Sequence, residues 1–213
     1  MLIKRYKKED FKNVYFVSGT ATGGKTTISK ALADKYNFIR YDVDVEFDKH
    51  RELSNEVDEP NMNKSFKNAD EFFLRDKEEY INWLIDNSHE QLKFVLEDLK
   101  NISKNNKVVC DLHLTVDEAR QIANTDQLVF LIRGDNTDII DDYCNRESHK
   151  GFRDYINSAT DVEKAKENCN EVLRTLNETR CKDIKNSEYL FIERNEKSTV
   201  EKTLKLVEKQ FRL

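Results

Sequence analysis

Proline, glycine and sulfur are all scarce in this chain. Its 213 residues hold one proline, five glycines, four cysteines, two methionines and one tryptophan. So little proline excludes a proline-rich stalk or linker, and there is no internal repeat or low-complexity tail. Cys110, Cys144, Cys169 and Cys181 form no Cys-x-x-Cys pair and have no zinc-like spacing. Cys110 sits in an apolar run, as a buried reduced thiol does, and the other three fall in predicted helices. No apolar run is long enough to span a membrane, and the Lys-rich stretch 1–10 is not followed by an apolar segment of signal-peptide type. The expectation is a cytoplasmic protein without a membrane partner. A net charge of -5 and a pI near 5.6 lack the basic excess of a general nucleic-acid binder, so nucleic acid is not the expected partner. That charge leaves room for a local basic patch around a nucleotide. The length suits one domain, 1–213, as a monomer or homodimer.

Three of the few glycines fall together. Gly19-Thr20-Ala21-Thr22-Gly23-Gly24-Lys25-Thr26 fits G-x-x-x-x-G-K-[ST], the phosphate-binding P-loop. The stretch 13–18 before it reads as a short buried strand, and 26–33, opening on Thr26 and Thr27, reads as an amphipathic helix. Strand, glycine loop and helix is the context the motif needs. Glycines let successive N–H groups turn inward at phosphate oxygens, and the positive end of the helix faces the same anion. Lys25 would reach the outer phosphates and the Thr26 hydroxyl would hold Mg²⁺.

Further strands are expected over 38–41, 107–111, 127–133 and 189–192, alternating with helices. Thr115 and Glu118 have capping-box spacing. A helix is expected from about 136 to 146, a long one over 161–185, and a last one capped by 198–201 and ending near Phe211. Pro60 marks a break between Asp48 and Asn68, with a loop or short helices there. The stretch 147–160 shows no periodicity. Strands alternating with helices imply an α/β fold: a three-layer P-loop NTPase architecture with a five-stranded parallel sheet flanked by helices. Ligands gather beyond the carboxyl ends of such strands. The P-loop, Asp42, Asp44, Asp111, His113 and the turn Arg133-Gly134-Asp135 should therefore face one crevice.

With the glycine loop, the pair Leu32-Ala33 and the strand ending in Asp42-x-Asp44, the sequence resembles the P-loop small-molecule kinases, among them shikimate, gluconate, nucleoside and nucleoside-monophosphate kinases. Several carry Asp-x-Asp at the end of the second strand; the first carboxylate helps order Mg²⁺ or activate the acceptor, and the second contacts the acceptor. The resemblance implies those roles for Asp42 and Asp44. Val108-Val109-Cys110-Asp111-Leu112-His113, with Arg133-x-Asp135-Asn136-Thr137 further on, is similar to the atypical adenylate kinases linked to ribosome maturation. Arg146 with Gly151-Phe152, and Glu167-Asn168, share that likeness more faintly. It covers most of the chain except 46–106, a helical insertion longer than those enzymes have, where the acceptor would bind.

The alternative for Asp42 and Asp44 is that one caps the next helix and the other is solvated. Asp111 follows an apolar run, where a Walker-B-like carboxylate binds Mg²⁺ and a structural charge would be expensive. His113 either caps a loop or positions a water. Arg133, Arg146, Lys150 and Arg153 lie where the superfamily keeps its lid, read here as 147–160, with Gly151 supplying flexibility between Arg146 and Arg153. Arg174 and Arg180 read better as a solvated face. Phe72, Phe73, Tyr80 and Trp83 recur at helical spacing, as core or as the wall of an acceptor pocket. His50 and Arg51 stand where an anionic substrate could be read.

The resulting expectation is a Mg²⁺- and ATP-dependent phosphotransferase acting on a small-molecule acceptor, a nucleoside or nucleotide in preference to a shikimate-like acid. Its lid and acceptor region would be mobile. The catalytic candidates are Lys25, Asp42, Asp44, Asp111, Arg146 and Arg153; the nucleotide would lie on residues 19–27; the metal would lie on Thr26, Asp42 and Asp111. The competing expectation is an ATPase or nucleotide switch acting on a protein or RNA.

Overall fold

The short apolar runs become strands β1 (Val14–Gly19), β2 (Ile39–Asp42), β3 (Val108–Asp111), β4 (Leu128–Arg133) and β5 (Leu190–Arg194). The computed structural model describes residues 5–134, 139–195 and 197–213. All neighbouring strands pair in parallel, in the order β2-β3-β1-β4-β5. Parallel strands are covered on both faces, which is why 128–133 can be apolar almost throughout.

Alternation along the strands sorts the core into two layers. Val17, Val109, Val129 and Leu131 face helices α1 (Lys25–Tyr36) and α10 (Val200–Phe211), meeting Ile28, Leu32, Val207 and Phe211. On the opposite face, Phe16, Cys110, Leu128 and Phe130 meet Leu92, Val95, Leu96 and Leu99 of a long helix, Lys77–Ile102, together with Ala119 and Ile122 of Val116–Ile122. Each fully buried leucine, such as Leu96 or Leu99, contributes about 2 kcal/mol, and truncating one to alanine would cost ~2–5 kcal/mol.

The connection from β2 to β3 holds helices α2 (Phe47–Leu53), α3 (Pro60–Asn63), α4 (Ala69–Phe73) and α5, the long helix Lys77–Ile102. Pro60 opens α3 at its first turn, where its missing N–H has no helical partner to lose. Asn68 and Asp76 cap α4 and α5 by accepting from backbone amides. α6 is Val116–Ile122, and its capping box is formed in both directions by Thr115 and Glu118. β4 leads to α7 (Ile139–Cys144), α8 (Lys150–Ile156) and α9 (Val162–Lys185). Phe73, Tyr80, Ile140, Ile156, Cys169 and Val172 join α4, α5, α7, α8 and α9 into a second apolar cluster beyond the strands' carboxyl ends.

Three expectations change. The stretch 147–160 is largely helical: a 3₁₀ turn, Glu147–His149, leads into α8. Its helix is set by burial of Ile156 against α4 and α9, which no local periodicity announces. Gly151 lies inside α8 and makes no hinge there. The cap of α10 is Thr199, which accepts from Lys202 N, while Ser198 Oγ accepts from Asn195 N in the preceding turn. Asp135, Asn136 and Thr137, part of the expected turn after β4, lie outside the described residues. No helix among the described residues is long and apolar enough to cross a membrane.

Candidate functional site

The glycine loop is shaped from below by β4. Thr20 N donates to Leu131 O at 3.1 Å, and Thr20 Oγ1 accepts from Arg133 N at 2.9 Å. Gly19 has φ 130° and Gly24 φ 98°, a region that favours glycine. A Cβ at Gly19 or Gly23 would run into the Leu131 carbonyl oxygen. Thr22 is also left-handed, with φ 55°, and is held from both ends: Arg133 donates to its hydroxyl at 2.9 Å and Arg194 to its carbonyl at 3.0 Å. From α9, the buried Asn177 accepts from Ala21 N at 2.9 Å. The start of α1 has no side-chain cap and no acidic residue in its first turn. Its leading amides are therefore left for an anion.

β2 and β3 bring two carboxylates side by side, since Asp42 and Asp111 are register partners on parallel strands. Arg40, two residues before Asp42 and on the same face, bridges them at 2.7 Å and 3.2 Å. Asp111 is buried. One of its oxygens accepts from Ser29 at 2.8 Å and the other from Thr26 Oγ1 at 2.9 Å. Asp42 spends its second oxygen on Asp44 N at 3.2 Å.

Lys25 Nζ donates to Thr20 O at 2.8 Å and lies 3.4 Å from His113 Nε2. Burial, reinforced by the Arg180 charge, pushes its pKa down to about 7. His113 Nδ1 lies 2.9 Å from Gly19 O and 3.0 Å from Arg180 Nη1. It can serve only one of them. An ammonium facing Nε2 makes that nitrogen the acceptor, so Nδ1 carries the hydrogen and donates to Gly19 O. The Arg180 guanidinium then lies against the ring without bonding it. Burial and the neighbouring Lys25 and Arg180 charges hold His113 well below the ordinary histidine range.

Two cavities flank the glycine loop. An aromatic cavity of about 460 Å³ is walled by Phe72, Tyr80, Trp83, Tyr143 and Phe152, with Asp44, Gln91, His113 and Arg180 among its polar residues. A loop-side cavity of about 440 Å³ lies between Gly23, Gly24, Thr27 and Ile28 on one side and Ile192, Arg194, Thr199 and Val200 on the other. Thr26, Arg146 and His149 line both.

The expected residues divide accordingly. Lys25, Thr26, Asp44, Asp111 and Arg146 meet at the aromatic cavity. Asp44 is open to the solvent of that cleft yet ringed by protein, and this enclosure, followed by repulsion from Asp42, raises its pKa. Burial, and then the Arg194 charge, lower that of Arg146. Asp42 lines neither cavity and is committed to Arg40. Arg153 lines neither; it donates to Cys144 O at the end of α7 at 2.8 Å. Lys150, Arg51 and Arg174 are exposed. His50 is buried away from the cavity, held between Tyr41 and Asp98. Phe73 is core, while Phe72, Tyr80 and Trp83 are both packed and cavity-lining.

Arg180 reverses the solvated-face expectation. It follows Leu173 and Asn177 at i, i+4, i+7 on α9, and all three line the cavity. That spacing was the available signal. Arg40 was also readable, from its i, i+2 relation to Asp42. Asn177 and Arg194 had no local signal, because their partners lie 156 and 172 residues away.

Fold and site together define an α/β protein built around a P-loop. No protein-family model and no curated protein sequence matches the chain. Among solved structures, shikimate kinase from Bacteroides thetaiotaomicron aligns at 16% identity and TM-score 0.48, over 94% of this chain and 98% of that one. Shikimate kinase from Aquifex aeolicus aligns at 16% and 0.42, over 93% and 96%. An uncharacterized protein from Eubacterium ventriosum aligns at 13% and 0.45, over 93% and 97%. At these values the likenesses say nothing of chemistry, which rests on the residues above.

Proposed function

We propose that this protein is a phosphotransferase that moves the terminal phosphoryl group of Mg²⁺-bound ATP to a small-molecule acceptor, a nucleoside or nucleotide. The carrying observation is the pair of cavities that meet at Thr26 and Arg146 beside the glycine loop. Hydrolysis needs one compartment for the nucleotide; transfer needs a second for the acceptor. The loop-side cavity would take the donor's base and sugar, and the aromatic cavity the acceptor. Flat rings on its walls suit a planar base. Arg180 lines that cavity and has a compensating carboxylate only in Glu118, without a direct ion pair among the described residues; it suits an anionic group and so favours a nucleotide over a nucleoside.

The residues fit a magnesium nucleotide. The first amides of α1 have no side-chain cap, and the Thr26 hydroxyl and Asp111 carboxylate already converge. The described residues hold no cluster of three or more His, Cys, Asp or Glu that would bind a metal unaided. A nucleotide-borne Mg²⁺ draws most of its ligands from phosphates and water. When bound, Mg-ATP supplies the phosphoryl group and a neutralising cation. Thr26 and Asp111 would hold the metal, with Asp42 acting on it only through Arg40. Lys25 and the α1 amides would hold the phosphates. Asp44, with its raised pKa, would accept the acceptor hydroxyl's proton. Arg146 would face charge spreading onto the transferred group. α7 and α8 would form the lid that excludes water, and Arg153 would fasten one to the other. α2 to α5 would form the acceptor-binding insertion.

Purified protein with Mg-ATP, tested against nucleosides, nucleoside monophosphates and hydroxy acids, decides the matter. The expected result is slow ADP release alone and at least a tenfold rise with one acceptor. ATPase indifferent to every acceptor but raised by a protein or RNA would overturn the proposal.

A further inference from the structure

His149 lines both cavities, and neither sequence spacing nor any expected role singled it out. The 3₁₀ turn Glu147–His149 brings it there, its own amide donating to Arg146 O at 3.0 Å. The ring is fixed in two ways. It stacks on Tyr143 with centroids 3.8 Å apart and planes 27° apart, and Tyr143 is braced edge-on by Phe152 at 5.0 Å. Nδ1 also lies 2.9 Å from the Tyr143 carbonyl oxygen.

That second contact settles the proton. A carbonyl oxygen only accepts, so Nδ1 carries hydrogen in either charge state. Nε2 is the working nitrogen, and it makes no hydrogen bond among the described residues. Neutral, it can accept; protonated, it can donate. Its charged neighbours come from several elements: Arg146 from the same turn, Arg194 from β5 and Asp44 from the segment after β2. An arriving polyphosphate would bring an anion against Nε2, which a protonated nitrogen can meet as a donor.

Resting on the phosphotransferase reading, we infer that His149 is a further catalytic residue, donating from Nε2 to the phosphoryl group as it passes between the two cavities. A base serving the acceptor hydroxyl need face only the acceptor side, where Asp44 already stands. A group that lines both compartments meets what crosses between them. No covalent bond to the histidine forms; the ring takes a proton from solvent and holds it while charge spreads over the equatorial oxygens.

The test is nitrogen-15 NMR of the imidazoles in the full chain. The chain has four histidines, and H149Q identifies the signal that belongs to this one. At one fixed pH, adding magnesium with AMP-PNP should move the His149 Nε2 resonance to its protonated, hydrogen-bonded position. H149A should lose about 100-fold in turnover and H149Q about tenfold, because its amide keeps an N–H donor. KM for ATP and for the acceptor should stay within threefold. An Nε2 resonance that ignores the nucleotide overturns the inference whether or not the variants fold. Unchanged turnover in folded H149A overturns it too. If no acceptor supports transfer in the wild type yet the resonance responds, the phosphotransferase reading fails and the contact with the phosphoryl group stands.

Discussion

Thr26 Oγ1 donates a 2.9 Å hydrogen bond to Asp111 Oδ2. The hydroxyl belongs to the first turn of α1 and the carboxylate to the last residue of β3. Ser29 and Arg40 bind the other carboxylate oxygen, so Asp111 is oriented before any ligand arrives. A metal-binding carboxylate held this way needs little reorganisation when the nucleotide enters.

Thr26→Val keeps the shape of the side chain and removes the hydroxyl. Transfer should fall roughly 10²–10³-fold with the fold intact, judged from mutational losses of single preorganised groups. Asp111→Ala should also lower stability by about 3 kcal/mol, because it leaves Arg40 facing a half-empty site. Stopped assays and thermal melts of the two variants separate chemistry from folding.

Lys25 gives a pH signature. Its pKa of about 7 in the free protein rises when a polyanion binds, so binding takes up a proton above pH 7. ATP affinity should be flat below pH 7 and weaken by up to about tenfold per unit above it. Calorimetry in buffers of different ionisation enthalpy should find uptake approaching one proton near pH 8. For folding the sign is separate: between about 7 and 10.5 the unfolded chain holds this proton and the folded chain does not. Stability contributed by this group therefore rises with pH across that window.

Two glycines should respond oppositely. Gly19→Ala sets a Cβ against the Leu131 carbonyl at φ 130°, and should cost about 3 kcal/mol or more and deform the loop. Gly151→Ala meets nothing within 4 Å inside α8 and should add about 0.5–1 kcal/mol. Chemical denaturation of both variants reads the contrast.

Asn177→Leu removes the side chain that holds Ala21 from α9. An unpaired loop amide costs about 1–3 kcal/mol, and the loop should lose its fixed shape. A rise of about tenfold in the ATP dissociation constant is expected, with acceptor binding less affected. Nucleotide titration followed by fluorescence measures it.

Strands β1, β3 and β4 were legible because buried parallel strands need unbroken apolar runs, and α6 because Thr115 and Glu118 carry their capping signal locally. The helix α8 was not, since Ile156 finds its reason for burial only against α4 and α9. The place of Arg153 in the chain points to a phosphate-facing residue; its guanidinium instead satisfies the last carbonyl of α7, a partner that only packing supplies.

By itself the sequence determined a glycine loop between a buried strand and a helix, because local backbone freedom and hydrophobic period suffice for that unit. It placed Lys25 and Thr26 at the start of that helix and Asp111 at a strand end for the same local reason. Only the tertiary structure decided that Asp44 and not Asp42 opens on the aromatic cavity, that Arg180 turns inward, and that His149 stands between the two compartments. Which way a side chain beyond a strand end turns depends on charges and rings brought from distant segments, and those meet only when the sheet and its helices close.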